Sequence, residues 1–154
     1  MYEEHMKLKY TDENHCRLCA NFARDFMPLL RAKYLCKLQD YAPAVYLYDK
    51  VIEYIKETDK NNGNPLTPGS RQRIANVLEK QAKAYEGWQK FDKAMEVLQE
   101  AEAILDGINP EDFYIKSSIP ELEKDKVTVK SHIAALQKKI NASQTKKGPM
   151  SPPA

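Results

Sequence analysis

The chain reads as all-α, on three observations. Apolar residues recur at three- and four-residue spacing through successive segments, the period of one helix face. Clusters of proline, glycine and asparagine fall between those segments, where helices end. No stretch alternates apolar and polar residues as a half-buried strand would. With 154 residues, 42 % of them hydrophobic, the chain has length for one domain or one small repeat array, and enough apolar side chains for a core.

Residues 1–11 read as a flexible arm. A first helix is expected over 12–25, capped by Thr11 or Asp12. Pro28 interrupts it, because proline fits a first helical turn and not an interior. A second helix therefore starts near Asp25 or Phe26 and runs to Gln39. Asp40 and Pro43 open the next, whose stripe is Ala44, Tyr48, Val51, Ile52 and Ile55. TDKNNGNPLT, residues 58–67, is the strongest loop signal. Thr67 then caps a helix with Pro68 at its preferred first position. Its stripe is Ile74, Val77, Leu78, Ala82 and Tyr85, and Gly87 ends it. The following helix carries Phe91, Ala94, Leu98, Ala101 and Leu105 and closes at Asp106-Gly107. Asn109-Pro110 opens a short turn through Phe113 and Tyr114. Ser118 and Glu121 form a capping-box pattern ahead of a final helix to about Asn141, with Leu122, Val129, Ile133, Leu136 and Ile140 on one face. The helical domain thus spans 12–142. Residues 143–154, with three prolines and no apolar period, read as a disordered tail.

Two segments share a pattern. AKYLCKLQDYAPAVYLYDKV (32–51) and AKAYEGWQKFDKAMEVLQEA (82–101) each place an alanine, Ala32 or Ala82, nine residues before an aromatic, Tyr41 or Phe91. Ala44 or Ala94 follows, then Tyr48 or Leu98, then Val51 or Ala101. Such spacing suits two antiparallel helices packed closely, with small side chains at the contact and an aromatic at the corner. The pattern resembles the tetratricopeptide repeat, best over 68–106 and more loosely over 26–57. Gln81 departs from it where that family usually has leucine, and Leu78 where an aromatic is common. The two segments are offset by 50 residues (94 minus 44), against about 34 in the family. The resemblance implies a short helical solenoid, with the final helix as the polar cap such arrays need.

The function that follows is non-catalytic protein–protein interaction: an adaptor or assembly subunit that binds a protein partner through the groove of its repeats. The resemblance places that groove along the first helix of each unit, residues 26–38 and 70–85. Arg71, Arg73, Asn76, Lys80 and Lys83 are its candidate polar contacts. Some family members use lysine and asparagine there to clamp an acidic chaperone tail, but Glu79 stands where a clamp would want a cation. Among five clustered tyrosines, Tyr34, Tyr46 and Tyr54 are candidate partner anchors, since aromatics are favoured at binding hot spots. The alternative is a structural subunit of a larger complex, held by apolar and terminal-arm contacts.

Other classes find little support. The three histidines are scattered, and no nucleophile elbow, phosphate loop or dinucleotide fingerprint occurs, so no enzyme and no cofactor are expected. Glu79/Lys83 and Glu121/Lys124 look like charges on a solvated helix face. His15, Cys16 and Cys19, with Cys36, invite a zinc reading, but only one cysteine pair is visible, and core packing accounts for them better. Lys plus Arg number 24 and Asp plus Glu 22, giving +2, without the basic face of a dedicated nucleic-acid binder. Residues 121–147 do carry seven lysines against three acids, but no aromatic interleaves with them to stack on bases. No window approaches 18 apolar residues, the mean hydropathy is −0.67, and the first residues lack a signal-peptide run, so no membrane partner is expected and the cytoplasm is the expected location.

Overall fold

A computed structural model describes residues 26–61, 66–113 and 116–147. The helix expected over 12–25 lies outside them. The described residues form five α-helices and no strand: α1 (Met27–Lys37), α2 (Tyr41–Asn61), α3 (Pro68–Gly87), α4 (Phe91–Asp106) and α5 (Ile119–Lys147). Two 3-10 turns, Pro110–Asp112 and Lys116–Ser118, lie between α4 and α5. Each helix packs on the next, and α5 also touches α3.

The α1–α2 and α3–α4 connections are the same turn. In the first, the Gln39 amide donates to the Cys36 carbonyl at 3.0 Å and the Asp40 amide to Leu35 at 2.9 Å. In the second, Gln89 donates to Glu86 at 2.9 Å and Lys90 to Tyr85 at 2.8 Å. This pair of bonds closes a helix in a Schellman motif, which needs a left-handed residue just past the helix. That residue is usually glycine; here Gln39 and Gln89 both take it, each at φ 60°. Connections this short turn the chain back on itself, so each pair is an antiparallel hairpin. The second turn repeats the first 50 residues later, the offset seen in the sequence.

The shared alanines sit where the hairpins close. Ala32, Ala44, Ala82 and Ala94 have no exposed surface, and any larger side chain there would force the helices apart. Tyr41 leans across to α3: a Cβ added at Gly87 would meet its ring at 2.7 Å. Ile74, Leu98, Leu105, Leu122 and Leu136 are the large fully buried side chains. Burying each stabilises the fold by about 1.5–3 kcal/mol. Gln81, in place of the expected leucine, is 2 % exposed. Its amide donates to the Val45 carbonyl at 3.2 Å and to Asp49 Oδ1 at 2.7 Å, tying α3 to α2.

Two boundaries differ from the sequence reading. Residues 58–61, expected in a loop, belong to α2, which continues to Asn61. Thr58 is held in that last turn by its hydroxyl, which donates to the Tyr54 carbonyl at 2.9 Å. The far side is as expected, with Thr67 Oγ1 accepting from the Ser70 amide at 3.1 Å and Pro68 at the first position. Residues 143–147, expected in the tail, are helical, since α5 runs past Asn141 to Lys147; the rest of the expected tail lies outside the described residues. Nothing between Asn141 and Gly148 breaks a helix, and the Thr145 hydroxyl caps back onto the Asn141 carbonyl at 2.9 Å.

Candidate interaction groove

A groove of about 520 Å3 opens between α1, α2 and α3. Phe26, Leu29 and Leu30 form its α1 wall, Cys36 and Tyr48 its floor, and Ala84 the foot of α3. Lys33, Lys80 and Lys83 stand along its edges, all exposed. The chemistry is therefore an apolar slot between cations. Burial pushes the Tyr48 hydroxyl up to about 12, helped by the neighbouring Cys36 and the charge of Glu79. Burial likewise raises the Cys36 thiol, against a hydrogen bond from Tyr48. Both groups stay protonated at neutral pH, so neither is an activated nucleophile.

Of the residues singled out in the sequence, Lys80 and Lys83 line this groove. Arg71 does not. It borders a separate hollow of about 320 Å3 with Lys56, Leu66, Ile74, Ala103, Ile104 and Gly107. Arg73 is exposed and Asn76 half-buried, and neither lines the groove. Tyr34 is 63 % exposed on the outer face of α1. Tyr46 is also exposed, with the Lys50 ammonium 5.3 Å above its ring. Tyr54, the third candidate anchor, is half-buried.

The sequence places the groove on both 26–38 and 70–85 but names polar contacts only on the second, although the repeat contains a signal for the first. Moving Lys80 and Lys83 back by 50 residues gives Leu30 and Lys33. Two pairs of matching positions on the equivalent helices, Leu30/Lys80 and Lys33/Lys83, thus line the groove.

Behind it lies a second polar constellation. Glu79 is not on a solvated face. His132, on α5, inserts between two carboxylates of α3: Nδ1 is 3.0 Å from Glu79 Oε1 and Nε2 is 3.0 Å from Glu86 Oε2. Their side chains are only 12–15 % exposed. Both ring nitrogens can donate only if the imidazole is protonated. The hydrogen bond to Glu79 raises the His132 pKa, burial opposes it, and Glu86 adds to the rise. Burial pushes the Glu79 carboxyl up, but the hydrogen bond from His132 and the Lys83 charge outweigh it, so its pKa lies below the ordinary value. Lys83 Nζ reaches the same Oε1 oxygen at 3.4 Å.

Among the described residues, no group of three histidine, cysteine or acidic side chains is placed to hold a metal ion. His15, Cys16 and Cys19 lie outside them, while Cys36 is half-buried against the core. No described helix is long and apolar enough to cross a membrane. Comparison with protein-family models, with curated proteins and with solved structures finds no match.

Proposed function

We propose that this chain is a short helical-repeat protein of the tetratricopeptide kind, a non-catalytic module that grips a segment of a protein partner in the groove between α1 and α3. The observation that carries the reading is the groove itself: an apolar slot of about 520 Å3 edged by three lysines, with Leu30/Lys80 and Lys33/Lys83 at matching positions of two hairpins. Its chemistry selects a segment with one or two apolar anchors and acidic neighbours. The anchors displace water from Leu29, Leu30 and Tyr48, and the acids meet Lys33, Lys80 and Lys83. The matching turns at Gln39 and Gln89 and the four fully buried alanines support the repeat assignment.

Selection from a random displayed-peptide library tests this. Enriched sequences should combine apolar anchors with acids. They should lose binding to Lys33→Glu/Lys80→Glu and keep it with Arg71→Glu, which lies outside the groove. Enrichment of basic peptides, or equal binding to all three proteins, would refute it.

The alternative, a structural subunit held by apolar contacts, draws on a different observation. Tyr34 and Leu38, outside the groove, continue at four-residue spacing from its Phe26 and Leu30 along and beside α1, and both are exposed, by 63 % and 60 %. A helix apolar on both faces is normally covered. Sedimentation of the purified full chain distinguishes the readings: a stable monomer without aggregation argues for the groove.

A further inference from the structure

We infer that the Glu79 carboxylate couples the docking of α5 to the charge of the groove, because His132 on α5 and Lys83 on the groove edge share its Oε1 oxygen. The inference rests on the groove reading above and adds its regulation. The geometry is specific: His132 Nδ1 at 3.0 Å and Lys83 Nζ at 3.4 Å reach the same acceptor atom. With His132 protonated, its single positive charge is shared between Glu79 and Glu86, so less of the Glu79 charge falls to Lys83, which can turn to an anionic ligand. With His132 neutral, one ring nitrogen no longer donates. The charge on Glu79 then falls to Lys83, which is held back, and the groove becomes less positive.

The surroundings leave few other groups to take this role. On α3, the charged residues at His132 are Glu79 and Glu86, with Lys83 behind Glu79. On α4, Met95, Val97 and Leu98 meet Ile133 and Leu136 of α5 as apolar residues, and Asp106 faces Lys130 at 3.8 Å. On α2, the Tyr48 hydroxyl stays neutral and Asp49 is taken by Gln81. Affinity for an acidic segment therefore falls as pH rises through the titration of His132.

The probe is a fluorescein-labelled helical peptide with leucines on one face and glutamates on the other, titrated against the full chain from about pH 6 to about pH 9. Binding to the native protein should weaken by about two- to fivefold across that range. Binding to His132→Gln should be weak and flat. Because that variant also loosens α5, a ligand-free measurement stands beside it. In Lys83→Met, the NMR titration midpoint of His132 should move up by roughly half a pH unit, since a cation sharing its acceptor is gone. Peptide binding that ignores pH while His132 titrates would overturn the coupling and leave the groove standing. An unmoved His132 midpoint in Lys83→Met would also overturn it. No peptide binding at any pH would overturn the groove reading and the coupling with it.

Discussion

Replacing His132 by alanine tests how α5 is held. The imidazolium makes two charge-assisted hydrogen bonds at 3.0 Å, in a site where the three side chains are 12–15 % exposed. Each such bond stabilises by about 1.5–3 kcal/mol. Removing one partner of a buried ionic group typically costs about 3–5 kcal/mol. Here Lys83 remains beside Glu79 and water can reach Glu86, so the expected loss is about 2–4 kcal/mol near pH 6. The sign of its pH dependence follows from the raised His132 pKa. The contribution is fully present below the ordinary histidine value of 6.5 and is lost as pH rises through the folded-state value. At about pH 9 the native protein has itself lost the second bond, and His132→Ala should cost only about 1 kcal/mol. Glu79 acts at the acid end. Its contribution is present above the ordinary value of 4.5 and is lost as pH falls through its lowered one. Urea unfolding of both proteins at the two pH values, followed by helical circular dichroism, measures the difference. Equal losses at both would refute an imidazolium held between two carboxylates.

Three further outcomes follow from the turns and the core. Gln89→Gly should stabilise by about 0.5–1 kcal/mol, since glycine removes the left-handed penalty at φ 60° but adds unfolded-state freedom; Gln89→Val should destabilise, and thermal melts decide both. Gly87→Ala should destabilise by about 1 kcal/mol despite alanine's better helix propensity, because its Cβ would press on the Tyr41 ring at 2.7 Å. In a Tyr41→Ala background the same change should become stabilising, which a double-mutant cycle checks. Gln81→Ala should cost about 1–3 kcal/mol by removing the tie to Val45 and Asp49, whereas Gln81→Leu, which keeps the volume and leaves Asp49 to water, should cost under about 1 kcal/mol by urea unfolding.

The helices were legible because their stripes were complete. Ile74, Val77, Leu78 and Ala82 on α3, and Ala94, Leu98, Ala101 and Leu105 on α4, were all expected at the core and are all buried. Helix ends were less legible. Asn141 to Lys147 is polar enough to look like a tail, and only the absence of glycine or proline there lets α5 continue. Both helices of the groove could be read from the repeat, and Lys80 and Lys83 from their charge on one helix face. The lining residues of α1 were not singled out, and of them only Leu30 and Lys33 match groove residues of α3 across the 50-residue offset, while Leu29 and Cys36 match Glu79 and Glu86. The His132 site was hidden for a different reason. Its acceptors are 53 and 46 residues away (132 minus 79, 132 minus 86), and Glu79 sits at helical spacing from Lys83, the pattern of a solvated pair. Arg71 misled because a cation on α3 was assigned to the groove without regard to its place around the helix, and it faces α2 and α4 near Lys56 and Ile104 instead.

The central claim is that the groove between α1 and α3 receives a partner segment. Backbone amide NMR of the full chain, titrated with a library-selected peptide, tests it most directly. Shifts concentrated at Leu29, Leu30, Lys33, Lys80, Lys83 and Ala84 are the expected result. Shifts confined to the outer α1 face at Tyr34 and Leu38, or to the hollow at Lys56 and Arg71, would contradict it.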